Sequence, residues 1–543
     1  MSTLLELSTV QVVLLALSLA IGRFVYSYRD YRALGTRPRP DLVPFPNKQT
    51  YLLGDLLAVW KDRKFYLGRF WNNQQRHAHL LRDEKGRADP SKAFTVTLPG
   101  IRMILINQAE RDAFDNYEKG PLFRRSMQQV LGDGIFVVDG HQWRYVLVSM
   151  MPSGGGGLTT PRSLQRKATS KIFTAGNFKG IITSSIQTQL GKLLRVIGGH
   201  ADRHEAFDLA DLFFRFTLDS FTEMAFGMST GALDTDEPVP FAVAFDYAQG
   251  VMDASPFSPI TERFNGTKTK MDEAVRILDE FAYEIISQRE IEGRDGKSGA
   301  DTDLLSLYMA LRDEGGEPLS RSALRDALLN LIIAGRDTTA QGLSWTMFRL
   351  LREPQYFAAL REEATQLGTN VEDVDYDTWR NDMPTATATF YEGLRLHPSV
   401  PKNAWQAKGD DVLPNGGPRV EKGDLISWND WIRARDPEIW GPDATAFKPS
   451  RFLGPDGRLG RPDEWTYHVF NGGRRLCLGM NLALFEGSAV LAALSSEFDW
   501  EFEAGYLDGT EMCEMDNTPL YRPSLTLPMA APLRVRATRR TTA

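Results

Sequence analysis

Residues 470–494, FNGGRRLCLGMNLALFEGSAVLAAL, constrain this chain more than any other stretch. Cys477 stands in a glycine-rich loop, and a long apolar-periodic segment begins almost at once after it. That order puts a thiol at a helix N-terminus, where unpaired backbone N–H groups and the positive end of the dipole favour a thiolate. Gly473 and Gly479 allow tight backbone geometry around the sulfur. Arg475 supplies a permanent cation shaped for a carboxylate. A cysteine beside glycines reads most simply as a buried structural residue, and the pattern around this one argues against that reading.

The segment from Ser320 to Leu351 has the period of a long helix, with Ser320 as N-cap and apolar positions at Leu324, Leu328, Leu331 and Ile332. Its middle, AGRDTT (residues 334–339), conflicts with that pattern. A glycine followed by hydroxyl residues weakens the helical ladder, and such flaws often mark functional sites. Further on, FYEGLRLHPSVP sets Glu392 and Arg395 three apart, on one helix face. Gly393 between them costs about 0.5–1 kcal/mol in helix propensity. His77 and His79 read as a surface pair on a strand rather than as metal ligands.

The remaining composition bounds the answer. With 543 residues, 42% hydrophobic and 24% charged, the chain is globular. No linker or repeat divides it after residue 50, so one large domain over residues 50–540 is expected. A net charge of −7 offers no footprint for nucleic acid, and the basic end RVRATRRTTA reads as a solvated tail. Two cysteines, Cys477 and Cys513, exclude a disulfide framework.

The start of the chain is apolar: residues 8–26, STVQVVLLALSLAIGRFVY, approach the ~20 residues a helix needs to cross a bilayer. Basic residues follow it, which holds what comes next in the cytosol. Residues 1–28 therefore read as a transmembrane anchor; a cleaved signal peptide, with Ser18 and Ala20 as its small residues, is the alternative. Residues 29–49, which include RPRPDLVPFP, read as a stiff, extended spacer.

Phe470, Gly473, Arg475, Cys477 and Gly479 fill a Phe-x-x-Gly-x-Arg-x-Cys-x-Gly pattern that resembles the haem-binding loop of the cytochrome P450 family. The resemblance implies a mainly α fold with a smaller β-rich region, and haem b with Cys477 as axial iron ligand. It implies Asp337 and Thr338 as an acid–alcohol pair that relays protons during dioxygen activation. Glu392, Arg395 and Arg451 would brace the fold beneath the haem. No flavin or nicotinamide fingerprint is apparent, so electrons would come from NADPH-cytochrome P450 reductase at the endoplasmic reticulum membrane. Arg474 departs from the family, where many members carry proline.

LGDGIFVVDGHQW, DDVLPNG and RDPEIWGPDATAFKPSRF look most like the branch that includes alkane and fatty-acid ω-hydroxylases. That branch implies hydroxylation of a fatty acid, an alkane or a related lipid, with residues 122–136 near the substrate. Tailoring of a terpenoid or polyketide would use the same machinery. An isomerase or peroxygenase is a different class, against which the Asp337–Thr338 pair argues.

One stretch breaks the resemblance. The family carries Trp-x-x-x-Arg, both side chains binding a haem propionate; here Trp143 is followed four positions on by Leu147. Arg166 opens RKATSKIF, which looks like the continuation of the same helix. Residues 147–165 therefore read as an insertion, either a surface loop or, as we favour, translated intron. Val148-Ser149 and Gln165 permit splice-site codons. Four glycines and two prolines cannot continue a helix. Weakened haem retention is expected, and in the extreme an inactive chain.

Overall fold

The computed structural model describes residues 9–27, 34–36, 39–46, 50, 52–61, 76–87, 89–106, 116–139, 173–254, 266–294, 303–312, 317–368, 370–513, 516–522 and 524–541. Trp143, Arg166 and the 147–165 segment lie outside the described residues. The chain divides into two compact units, one of residues 1–117 with 404–428 and one of 118–403 with 429–543.

The first unit holds most of a six-stranded sheet in the order Val43–Pro44, Phe94–Leu98, Ile101–Leu105, Leu425–Asn429, Lys402–Ala407, Tyr117–Glu118. FTVTL and IRMIL form an antiparallel hairpin, Phe94 opposite Leu105 and Leu98 opposite Ile101. Its turn uses Gly100 at φ +72°, a left-handed position that suits glycine. Phe45, Phe94, Val96 and Leu98 close one apolar cluster, and Ile104, Tyr117, Val420, Ile426 and Trp428 another.

The proline-rich stretch is not a free spacer. Val43 and Pro44 pair in parallel with Phe94 and Thr95, and Leu42 and Phe45 are 3% and 1% exposed. Arg39 donates to Asp41 (2.7 Å) and to the Arg419 carbonyl (2.6 Å), and pairs with Asp424 at 3.4 Å. The extended backbone that proline enforces is also that of an edge strand, where its missing N–H does no harm. Burying Leu42 and Phe45 then decides between the two, at roughly 1.5–3 kcal/mol each.

Thr9–Ser27 is helical, and its apolar side chains from Val12 to Phe24 are each at least 42% exposed. The helix spans about 28 Å, close to the ~30 Å of a bilayer core. Among the described residues no helix is long and apolar enough to cross a membrane. His77 and His79 lie at a 3-10 turn rather than on a strand, and no cluster of metal-ligating residues occurs among the described residues.

The second unit is mainly helical. Three of its helices, Thr338–Arg352, Pro384–Leu396 and Met480–Glu497, pack against one another. Glycines let them approach closely: a Cβ on Gly487 would enter the Phe390 ring, and one on Gly342 would press on Leu394. Gly393 has the same cause. A Cβ there would overlap the Thr346 hydroxyl, so the apparent helix weakness is a packing requirement. The basic tail is not a free end: Arg534–Arg539 pairs antiparallel with Phe498–Phe502, and the partly exposed Arg539 and Arg540 bond Asp202 (2.7 Å) and Asp499 (3.2 Å).

Candidate active site

The cysteine loop is shaped before its helix begins. Asn471 and Gly473 take left-handed φ values of +58° and +56°, turning the chain sharply under the Trp465 ring. A Cβ on Gly472 would stand 3.0 Å from that ring. The Cys477 N–H donates to the Phe470 carbonyl at 2.8 Å, closing the loop. Gly479 caps the Met480–Glu497 helix, and a Cβ there would lie 3.9 Å from the Cys477 sulfur. The thiol is exposed, beside the N–H groups of the first helical turn. An exposed, dipole-favoured sulfur on a rigid loop is suited to binding a metal ion as thiolate.

Two cations stand near it. Arg475 is largely buried, and burial lowers its pKa to about 10 against the opposing pull of Asp139. Lys119, which no sequence pattern singled out, is partly buried. Its ammonium donates to the carbonyls of Ile135 (2.6 Å) and Val138 (3.0 Å). Burial brings its pKa down to about 7, with Asp139 raising and Arg475 lowering it. Asp139 is already engaged, accepting from the N–H groups of Lys119 (2.8 Å) and Gly120 (2.9 Å) at the start of the Gly120–Leu131 helix. Two basic side chains against one committed carboxylate suit a cofactor that brings its own carboxylates, as haem does. The donor set fits haem b. The only local hint of Lys119 was a cation placed before a helix-starting Gly-Pro, against the dipole.

The helix expected from Ser320 to Leu351, which the family resemblance makes the distal helix, runs Arg321–Ile332, a π-helical turn Ile333–Asp337, then Thr338–Arg352. Ser320 caps it, accepting from the Ala323 N–H at 3.1 Å. The flaw expected at AGRDTT is this π turn, and three hydroxyls take up carbonyls around it. Thr338 donates to Ala334 (2.7 Å), Thr217 to Arg336 (2.9 Å) and Ser399 to Thr338 (2.6 Å). Gly335 faces the Phe221 ring so closely that a Cβ would fall inside it. Asp337 and Thr338 thus sit together on the turn, but their side chains reach different partners. The Asp337 carboxylate accepts from Gln249 (2.6 Å) and Arg336 (3.1 Å). Burial raises its pKa to about 6, against the lowering pull of Arg336.

Upstream, Asn330 donates to the Leu131 carbonyl (2.8 Å) and accepts from the Phe136 N–H (3.0 Å). Asp326 accepts from the Asp133 N–H at 2.9 Å. A Cβ on Gly132 or Gly134 would collide with those two side chains. The LGDGIF motif is thereby sewn to the distal helix.

Arg395 uses all five of its N–H donors. They reach both Glu392 oxygens (2.6 and 2.8 Å) and the carbonyls of Ala434, Ala444 (2.7 Å) and Ala446 (3.0 Å). Arg451 stands 3.5 Å from Glu392 and donates to the carbonyls of Trp440 (2.9 Å) and Asp443 (3.0 Å). On the Met480–Glu497 helix, Glu486 is fully buried with the Ser220 hydroxyl as donor, and burial pushes its pKa up to about 8.

Residues 70–517 match the family described as Cytochrome P450. Similar proteins include Cytochrome P450 monooxygenase cyp1 of Mycosarcoma maydis, 38% identical over 97% of this chain and 80% of its own. Cytochrome P450 86B1 of Arabidopsis thaliana is 33% identical over 71% of this chain and 68% of its own. Cytochrome P450 52A1 of Candida tropicalis is 32% identical over 68% and 67%. With the cysteine loop and its cationic surroundings in place, the chain belongs to the cytochrome P450 family of haem b monooxygenases.

Proposed function

We propose that this monooxygenase hydroxylates a fatty acid, an alkane or a related lipid, taking electrons from NADPH-cytochrome P450 reductase. The observation that carries the reading is the Cys477 loop on one helix with the Asp337–Thr338 turn on another. The substrate class is supported by LGDGIFVVDGHQW, DDVLPNG and RDPEIWGPDATAFKPSRF, which resemble the hydroxylase branch. When bound, haem supplies the redox chemistry that divides dioxygen between product and water.

The chain's own residues do the rest. Cys477 gives the thiolate, and Arg475 and Lys119 hold the propionates, with Trp143 and Arg166 as further partners. Phe470, Gly473 and Gly479 shape the loop. Asp337 and Thr338 hold and pass protons, and Glu392, Arg395 and Arg451 brace the loop's support. Asp326 and Asn330 fix the wall at residues 131–136. The exposed apolar side chains of Thr9–Ser27 support a single-pass anchor in the endoplasmic reticulum membrane, catalytic part in the cytosol.

The test compares the full chain with one lacking residues 147–165. Carbon-monoxide difference spectra of the reduced proteins come first, then turnover of fatty acids and n-alkanes with reductase under labelled dioxygen. A thiolate-type band that is stronger after the deletion, and one labelled oxygen in a hydroxylated lipid, are expected. Absence of the band from both folded proteins would refute the role of Cys477. Labelled product from terpenoids alone would refute the lipid assignment.

A further inference from the structure

Within residues 336–350, Thr338 alone is not buried. Its hydroxyl is held by its own helix, donating back to the Ala334 carbonyl. Its backbone is held from elsewhere. Ser399, 5% exposed, donates to the Thr338 carbonyl at 2.6 Å, across 61 residues of sequence.

Ser399 belongs to a short turn with further ties to the same helix. Two residues before it, the His397 N–H donates to the Gly393 carbonyl (2.9 Å) and closes the Pro384–Leu396 helix. The His397 Nε2 accepts from the Arg349 Nε at 3.0 Å. Its ring stacks on Trp345, with centroids 4.4 Å apart and planes 6° from parallel. Burial, with Arg349 and two further arginines close by, holds the His397 pKa well below its ordinary range, so the ring stays neutral and accepts. Thr338, Trp345 and Arg349 are spaced by seven and four residues, which puts them on one helix face. The turn 397–399 therefore grips that face at three points, and Trp345 is itself fixed by its N–H on the Leu527 carbonyl (2.7 Å).

The grip matters because of where the helix is weak. Ile333–Asp337 is the π turn, and Thr338 is the first residue of the regular stretch that follows. Helices shift and bend at such flaws. Ser399 fastens the chain immediately after the flaw. It does so from a segment anchored by Arg395, whose bonds to Glu392 tie down the Pro384–Leu396 helix (2.6 and 2.8 Å). That helix packs on Met480–Glu497, which begins beside Cys477.

We propose that Ser399 is a positioning residue for oxygen activation: its hydroxyl holds the Thr338 backbone in register with the braced helix, and so sets where the Thr338 hydroxyl stands. The proposal rests on the reading of Thr338 given above. The competing reading is an ordinary structural bond that holds the fold and leaves the reaction alone.

Ser399→Ala removes the hydroxyl and Ser399→Thr keeps it. In the full chain, with or without haem, Ser399→Ala should speed amide exchange over residues 334–342 about fivefold and leave residues 345–352, which His397 still holds, unchanged. In the reduced, carbon-monoxide-bound protein it should displace the C–O stretching band, which reports the polar groups facing the bound gas. Turnover with reductase gives the third readout. Dioxygen that takes up two electrons and two protons without O–O cleavage leaves as hydrogen peroxide, and about threefold more peroxide per NADPH is expected. Ser399→Thr should restore all three.

Unchanged exchange in Ser399→Ala would overturn the tie. Faster exchange with the stretching band and peroxide yield of the parent protein would overturn the positioning role and leave a structural bond. If Ser399→Ala does not fold, Ser399→Cys, whose thiol is a weaker donor, carries the same comparison. Thr338→Ala is the reference. Should it leave peroxide unchanged, the reading of Thr338 fails and this proposal with it; more peroxide there with none extra in Ser399→Ala fails this proposal alone.

Discussion

Arg395 and Arg336 are both buried arginines on helices of the same unit, and they are treated very differently. Arg395 spends every donor on protein, both Glu392 oxygens and three carbonyls, so nothing in its surroundings can shift without breaking a bond. Arg336 puts both its ion pairs on one Nη1, leaves Nε without a protein partner, and borders a cavity. The first arrangement suits a brace. The second leaves a buried cation beside open space, its charge shared between two carboxylates, Asp246 and Asp337. Saturation of the hydrogen bonds, rather than burial or charge, separates these two arginines.

Arg395→Ala should produce the largest effect. It leaves buried Glu392 with only the Lys448 N–H (2.8 Å) and Arg451 (3.5 Å), and loss of about 3–5 kcal/mol is expected by urea unfolding. A loss under about 1 kcal/mol would end the contrast, since the saturated arginine would then matter no more than a surface one.

Glu486 sharpens it as a buried acid with a single hydroxyl donor. Its pKa rises from 4.5 to about 8 on folding, so between those values the folded chain holds a proton the unfolded chain has released. Its contribution is intact below pH 4.5 and falls as pH rises toward 8. Glu486→Gln should remove that slope and stabilise the protein at pH 8, by an amount readable in thermal midpoints at pH 5 and pH 8.

Arg336→Met should cost about 2 kcal/mol, less than Arg395→Ala, because half-exposed Asp246 regains water and Asp337 can take a proton. Equal losses in the two variants, by the same urea method, would contradict the distinction. The smallest change is Thr217→Val, which removes the hydroxyl shared by the Arg336 and Phe213 carbonyls and should cost about 1 kcal/mol.

What the sequence disclosed divides along the same line. Glu392 and Arg395 are one helical turn apart and Cys477 sits within a local motif, so both are readable without tertiary knowledge. AGRDTT likewise betrays its π turn, because the flaw and the hydroxyls that mend it are partly in one stretch. Gly393 misleads in isolation, since its reason is Thr346 on another helix. Asp246 and Gln249 precede Asp337 by about ninety residues on an ordinary amphipathic helix, and Lys119 is one lysine among many. Only the fold assembles them. The Pro-rich stretch carries the opposite lesson: extended backbone fits a spacer and an edge strand equally, and burial of Leu42 and Phe45 chooses.

That choice fixes where the chain can be shortened. Cutting ahead of Leu34 removes the exposed apolar helix and keeps the Arg39 clasp and the Val43–Pro44 strand. Cutting at residue 50, where the sequence first looks globular, strips Phe45 from Phe94 and opens the outer strand of the hairpin to solvent. A bare, apolar strand edge is an invitation to other copies of itself. The shorter product would come out of cells as aggregate, and the blame would fall on the insertion downstream when it belonged to seven or eight residues at the front.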